Sequence, residues 1–585
     1  MTDHTWRIRR GLRVVLLCAA TVLAACAGAE DDPGSDAQTD TSTAATDEDG
    51  VDSGAADGAA GADATERVEV LRLAGGDFGY PTPFAYVRGP GSIQAGYIFD
   101  SLAWWDETGE VTPWLARDWE VSDDGLTWRV ELREDARWHD GEPLTADDVV
   151  FTLDYMTGGA GADFQTIPVS PSDLDNIEVV EAEGATTVRF ELEQPSAAFE
   201  QNVLRNLMIV PQHIWAEVDD PSRFRGEEAL IGSGPYRLID IDEDSGSYLY
   251  EANDDFWFGP PLVQRLEFIP VSDEVAGLQR GEIAAGRVGS EEGTPDEVLD
   301  ALEAEPGLSR MDAPGDWNMA LHINLDAGFP YDEVGFRQAV AIAIDREDLL
   351  ERLLFGRGAV GSTCGLAPTH PDVAEDLPAY ELDLDLAAAL LDDLGLVDED
   401  GDGFRQLPDG EPFIITLNAS NRFSATTPEL VREYLRAVGL DVEVSILDRS
   451  SADAAGAAGD YTMALHGYGG IMTDADRLRT QYSSQVPGSG FTRAQGFANE
   501  RFDELAAAQI RSVDAEERQE QLHEMQRILA EELPVLSLYV PDRVQFHDPQ
   551  LHDGWFFTPG CSPCGGNRNR ISFVTGEPVW AELDS

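Results

Sequence analysis

Two adjoining stretches decide how this chain folds: Trp119-Glu120-Val121-Ser122-Asp123-Asp124-Gly125-Leu126-Thr127-Trp128-Arg129-Val130-Glu131-Leu132-Arg133, then Ala136-Arg137-Trp138-His139-Asp140-Gly141-Glu142-Pro143-Leu144-Thr145-Ala146-Asp147-Asp148-Val149. Ser122 to Gly125 is rich in turn formers, and Leu126 to Leu132 reads as the strand that follows. Asp140-Gly141 supplies a second tight turn, with Trp138 as a packing residue beside it. Thr145 is a good helix N-cap and the acids behind it suit a first turn, which predicts a helix running through Tyr155.

The same mixture extends outward. Val68 to Leu73 alternates apolar and polar and ends in Ala74-Gly75-Gly76, a strand entering a turn. Helices are predicted at 334–355, 384–394, 426–438, 498–509 and 514–532. Strands are predicted near 236–250, 262–269, 319–324, 413–418, 441–447, 461–466 and 535–540. No period repeats, and the class is α/β throughout.

Composition removes whole classes of function. The chain has 585 residues, enough for at least two lobes, and a formal net charge of −72. No lysine occurs, so all 39 basic residues are arginines. A phosphate-binding G-x-x-x-x-G-K-[ST] loop and a Schiff-base lysine are therefore excluded. Nucleic acid would need a basic face, and an anionic membrane surface would be repelled. The acids are spread along the whole chain, as on a solvated acidic surface.

Residues 6 to 26 place four arginines before an apolar run of about a dozen residues, a secretory signal too short to span a bilayer. The run ends in Leu23-Ala24-Ala25-Cys26, which resembles the bacterial lipobox. The reading is a signal peptide over 1–25, an acylated Cys26, and a tether over 26–66. Residues 27–66 are almost wholly small, acidic or polar, with no apolar periodicity. As a flexible coil this tether would reach roughly 35 Å.

The opening stretches closely resemble the signature of the dipeptide/oligopeptide/nickel class of solute-binding proteins of ATP-driven (ABC) importers. The resemblance continues in order through Gly232-Ser233-Gly234-Pro235-Tyr236, Asn253-Asp254-Asp255-Phe256-Trp257, Leu278-Gln279-Arg280-Gly281-Glu282-Ile283, and Asn324 with Phe336-Arg337-Gln338-Ala339-Val340. It spans about 68–575. It implies a bilobed, periplasmic-binding-protein-like fold of class II with an extra subdomain in the first lobe. The expected limits are 67–318 plus 541–585 for the first lobe (subdomain about 99–228) and 319–540 for the second. It also implies a monomer that takes peptide or a similar small solute, works with permease and ATPase subunits, is no enzyme, and meets the membrane only through its lipid.

Mapped onto the family's cleft, the expected ligand residues are Tyr80 after the first strand, Trp317 and Asn318 at the crossing, and Tyr468 and Gly469 after the strand at 461–466. Peptide-binding members carry an aspartate near that last loop for the ligand's α-amine. This chain has Ile471 there, so either Asp474 replaces it or the ligand lacks an amine. The Trp138–Gly141 segment reads as scaffold rather than as acid–base machinery.

Two other constellations stand apart. Asp398, Asp400 and Asp402 with Gly403 fit the first half of a calcium loop, but Asp409 stands where a glutamate belongs and a strand follows; an acidic turn is the competing reading. Otherwise no cofactor is expected. Cys561 and Cys564 suit a small disulfide in an exported protein, leaving Cys364 odd. A secreted hydrolase is the rival class. The chain has neither G-x-S-x-G nor H-E-x-x-H. A receptor feeding a sensor instead of a permease is the other alternative.

Overall fold

The computed structural model describes residues 67–558 and 569–576, apart from 77, 85–93, 107, 162–168, 170, 290–292, 487–490 and 492. The expected signal, Cys26, the tether, Cys561 and Cys564 lie outside the described residues.

Alternation in the deciding stretch produces an antiparallel sheet of four strands, ordered Ala116–Val121, Thr127–Leu132, Thr187–Leu192 and Ile177–Ala182. Trp128, Val130 and Leu132 are buried on one face while Arg129 and Glu131 face solvent. The helix Ala146–Thr157 follows. The Asp148 carboxylate accepts from Thr145 N (2.8 Å) and also from Gln212 N (2.9 Å).

Two larger sheets carry the rest. The first has seven strands in the order Ser309–Ala313, Arg543–His547, Ala285–Val288, Leu71–Gly75, Arg265–Pro270, Ser247–Ala252, Tyr236–Asp242. The second has six: Ala359–Val360, Val535–Val540, Trp317–Ile323, Met463–Gly469, Ile414–Ser420, Asp441–Leu447. Leu71–Gly75 lies parallel to both its neighbours, and Ile414–Ser420 parallel to both of its own, so each sheet is mixed. The chain passes between the two sheets at 314–316 and returns at 541–542. These crossings are packed together: a methyl on Gly315 would collide with the Pro541 carbonyl.

Local departures have local causes. The expected helix at 334–355 is two helices, Val334–Ala343 and Arg346–Leu354, because Asp345 leaves helical geometry and its side chain caps the second by accepting from Asp348 N (2.9 Å). The expected strand at 236–250 is a hairpin. Trp317 and Asn318, assigned above to the first lobe, open a strand of the second sheet.

One buried carboxylate gathers segments far apart in sequence. Asp100 accepts from Trp114 Nε1 (2.8 Å) and Ser233 Oγ (3.2 Å), and pairs with Arg570 (2.9 Å), a residue fully buried from the other end of the chain. His139 holds the neighbouring loop: Gly232 N donates to Nδ1 (3.3 Å), leaving Nε2–H to donate to Gly234 O (3.0 Å). Burial pushes its pKa down to about 4, so the ring is neutral. Within the Trp138–Gly141 segment, His139 thus holds the 232–234 loop in place.

Candidate ligand site at the seam between the sheets

The strand Trp317–Ile323 runs antiparallel to Met463–Gly469, pairing Trp317 with Gly469, Asn318 with Tyr468 and Met319 with Gly467. Side chains alternate between faces, so Trp317 and Met319 share one side, Asn318 and Tyr468 the other. A methyl on Gly467 would overlap the Trp317 ring, so glycine there makes room for the indole. That ring also meets Phe423 at 5.7 Å.

Asn318 is 1% exposed; its Nδ2 donates to Ser537 Oγ (2.9 Å), while its Oδ1 has no described partner. Tyr468 is buried, with its hydroxyl 3.4 Å from that of Tyr482 and the Arg477 guanidinium 5.0 Å from its ring centre. Gly469 sits opposite Trp317, where a methyl would make only ordinary contacts. Thus four of the expected residues are brought together, beside the crossing: Ile471 N donates to Asp316 O (3.3 Å).

The other two go elsewhere. Tyr80 packs with Ala229; its hydroxyl donates to Gly226 O (3.1 Å) and accepts from Gly226 N (2.9 Å), and Arg225 covers its ring. Burial raises its phenol pKa. It holds the 224–230 segment. Asp474, expected as a ligand-amine partner, is gripped on both oxygens by Arg518 (2.6 and 3.2 Å) and also accepts from Asp476 N. Its charge is already matched inside the protein. Sequence could not show this, because Arg518 is 44 residues away.

The neighbouring segment reaches across the seam. Asp476, 2% exposed, binds Arg479 through both oxygens and also accepts from Gln509 (2.5 Å) and Asn202 (3.1 Å). Arg479 in turn meets Asp173 at 3.2 Å. Burial pushes the Asp173 carboxyl up to about 6, opposed by Arg479 and reinforced by Asp476. Backbone bonds join the same two sides, Ala197 N to Ile510 O (2.7 Å) and Gly293 N to Leu353 O (2.8 Å).

The calcium candidates Asp398, Asp400 and Asp402 are close together and exposed. Their oxygens accept from the amides of Gly401, Gly403, Asp402 and Phe404, the pattern of an acidic turn. Cys364 is buried and free, its pKa raised by burial.

The sequence matches the model of "Bacterial extracellular solute-binding proteins, family 5 Middle" over residues 110–490, well over half the chain. The chain belongs to this family. As a solute-binding protein it is the substrate-binding component of an ABC importer, and its relatives are binding proteins rather than enzymes. It is 26% identical to the oligopeptide-binding protein AppA of Bacillus subtilis, over 79% of this chain and 84% of that one. It is 24% identical to the nickel-binding periplasmic protein of Escherichia coli, over 73% and 80%. Among solved structures, AppA in complex with a nonapeptide aligns with TM-score 0.70 at 23% identity, covering 82% of this chain and 95% of that one. A mannohexaose-bound oligopeptide-binding protein of Thermotoga maritima gives the same TM-score and identity over 88% and 98%. The fold of this solute-binding protein is accordingly the mixed α/β, bilobed one. Among the described residues no helix is long and apolar enough to cross a membrane.

Proposed function

We propose that this chain captures peptide or a comparable small solute between two lobes and delivers it to permease and ATPase subunits, while a lipid on Cys26 and the tether at 26–66 hold it at the outer face of the membrane as a monomer. The lobes are taken as 67–316 plus 541–585 and 317–540. The observation that carries this reading is the seam itself: two sheets joined by two short crossings, with aromatic residues and polar contacts on its second-sheet side. Such an arrangement closes on a ligand only through contacts that are better in the closed state.

The fold leaves the ligand open, since structural neighbours hold a nonapeptide and a mannohexaose. The test is a thermal-shift screen of peptides, oligosaccharides and nickel chelates on the mature protein, followed by small-angle scattering. A binding solute is expected to raise the melting temperature by mass action and to reduce the radius of gyration. A bound solute with no compaction defeats the clamp. Retention of a Cys26→Ser variant in the membrane fraction defeats the anchor.

A further inference from the structure

Arg477 lies two residues before the seam residue Arg479 and packs over Tyr468 beside the crossing. Its surroundings differ from those of both neighbouring arginines. Arg479 has Asp476 and Asp173, and Arg518 has Asp474. Arg477 has no ion pair and no hydrogen bond from its guanidinium among the described residues, and its Nε is sealed from solvent without an acceptor. Asp316 acts on it only through space. Crowding by protein depresses its pKa, yet the residue keeps part of its surface accessible, so the group is recessed rather than enclosed. Gly470 helps to seat it: that residue has φ +76°, and a methyl there would stand 3.0 Å from Arg477 Nη1.

A sealed polar N–H without an acceptor is disfavoured, and a desolvated cation without an anion more so. The chain has carboxylates in great excess, 111 acids against 39 arginines, and among the described residues none is in contact with this one. The neighbouring arginines each have carboxylates of their own, so the recess offers one positive charge. A planar fork with one charge matches a carboxylate better than a phosphate dianion.

We infer that Arg477 is the specificity residue of the seam site and receives a carboxylate of the solute. This rests on the receptor reading above and narrows it to carboxylate-bearing solutes. Tyr468 backs the guanidinium, as aromatic faces commonly do.

A kinetic signature follows from the acidic surface. An anionic solute is repelled at long range by a protein of net charge −72 and attracted only within the recess. Raising salt from about 0.02 to 0.15 M shortens the Debye length to about 8 Å, so association should accelerate.

The experiment uses the mature protein, with short peptides each made with a free and an amidated C-terminus, together with small dicarboxylates and their diamides, read by calorimetry and stopped flow. Expected: the acids bind at least about tenfold tighter than the amides, Arg477→Gln removes that preference, and Arg477→Lys restores part of it. Association of the acids should quicken with salt. Gly470→Ala, which displaces the guanidinium without removing it, should weaken the acids too, and circular dichroism checks that every variant is folded. If acids and amides bind alike, or Arg477→Gln weakens both equally, the inference is overturned while the receptor reading stands. If only neutral solutes from the wider screen bind and compact the protein, the result is the same. If no solute of any class binds or compacts the folded protein, both fall.

Discussion

Arg570 and Arg477 occupy similar aromatic settings, and the company they keep differs. Arg570 lies over the rings of Trp104 (3.8 Å) and Trp114 (4.7 Å), donates to Gly96 O, and pairs with Asp100, which Trp114 and Ser233 also serve. Burial pulls its pKa down to about 10, with Asp100 opposing the shift. Arg477 lies over Tyr468, and no carboxylate among the described residues is in contact with it. A buried cation that comes with its anion fixes the fold, here by tying the segment around residue 570 to the segment 96–114. A recessed cation without one is set for an anion from outside. The pairing, more than the burial, separates scaffold from site.

The sharpest way to break this contrast is Arg570→Met. It strands a carboxylate that is itself fully buried, so a destabilisation of about 3–5 kcal/mol is expected in urea unfolding. A loss under about 1 kcal/mol would erase the difference between the two regions.

The next test compares histidines from each side. His139 and His552 belong to the Arg570 region and are held at pKa about 4; His322, 5.9 Å from Tyr468, is held at about 3. Burial causes each shift. Their folded pKa values lie below the unfolded 6.5, so between those values the unfolded chain binds more protons and stability falls as pH falls; above 6.5 the contribution is complete. Each should cost about 2 kcal/mol by pH 5. Thermal melts of His552→Gln and His322→Phe should both show a flatter acid limb than wild type. An unchanged slope in either would show that ring to be protonated or open to water.

A smaller effect concerns Asn318. Asn318→Ala removes one buried bond to Ser537 and should cost about 1 kcal/mol. A larger loss of solute affinity than of stability would place its unpartnered Oδ1 against the ligand.

The smallest stability change is expected at the most consequential position. Arg477→Gln should alter unfolding free energy by less than about 0.5 kcal/mol, or stabilise, because it removes a cation with no charged partner among the described residues to strand. A loss like that of Arg570→Met would reveal an anion within the protein and end the distinction.

Much of this architecture was legible in the chain itself. Turn residues and period-two alternation located the strands around Trp128, and Thr145 and Asp148 located the helix after them, because those signals act over a few residues. The ordered motifs from Trp119 to Val340 pointed to the family, and the pairing of Trp317 with Gly469 and of Asn318 with Tyr468 brings four expected site residues together. Tyr80 and Asp474 have partners in the fold that their local sequence does not indicate. Their partners, Gly226 and Arg518, are 146 and 44 residues away.

Sequence by itself determined the α/β class, the family and the absence of lysine chemistry, since these rest on local pattern and on composition. Only the tertiary structure decided which of two neighbouring arginines has no acid among the described residues. In Asp474-Ala475-Asp476-Arg477-Leu478-Arg479 two acids and two arginines look interchangeable. Arg518 takes the first acid from one side, Gln509 and Asn202 join Arg479 on the second, and Arg477 is left over Tyr468. Coulomb energy depends on distance in space, and the fold alone sets those distances.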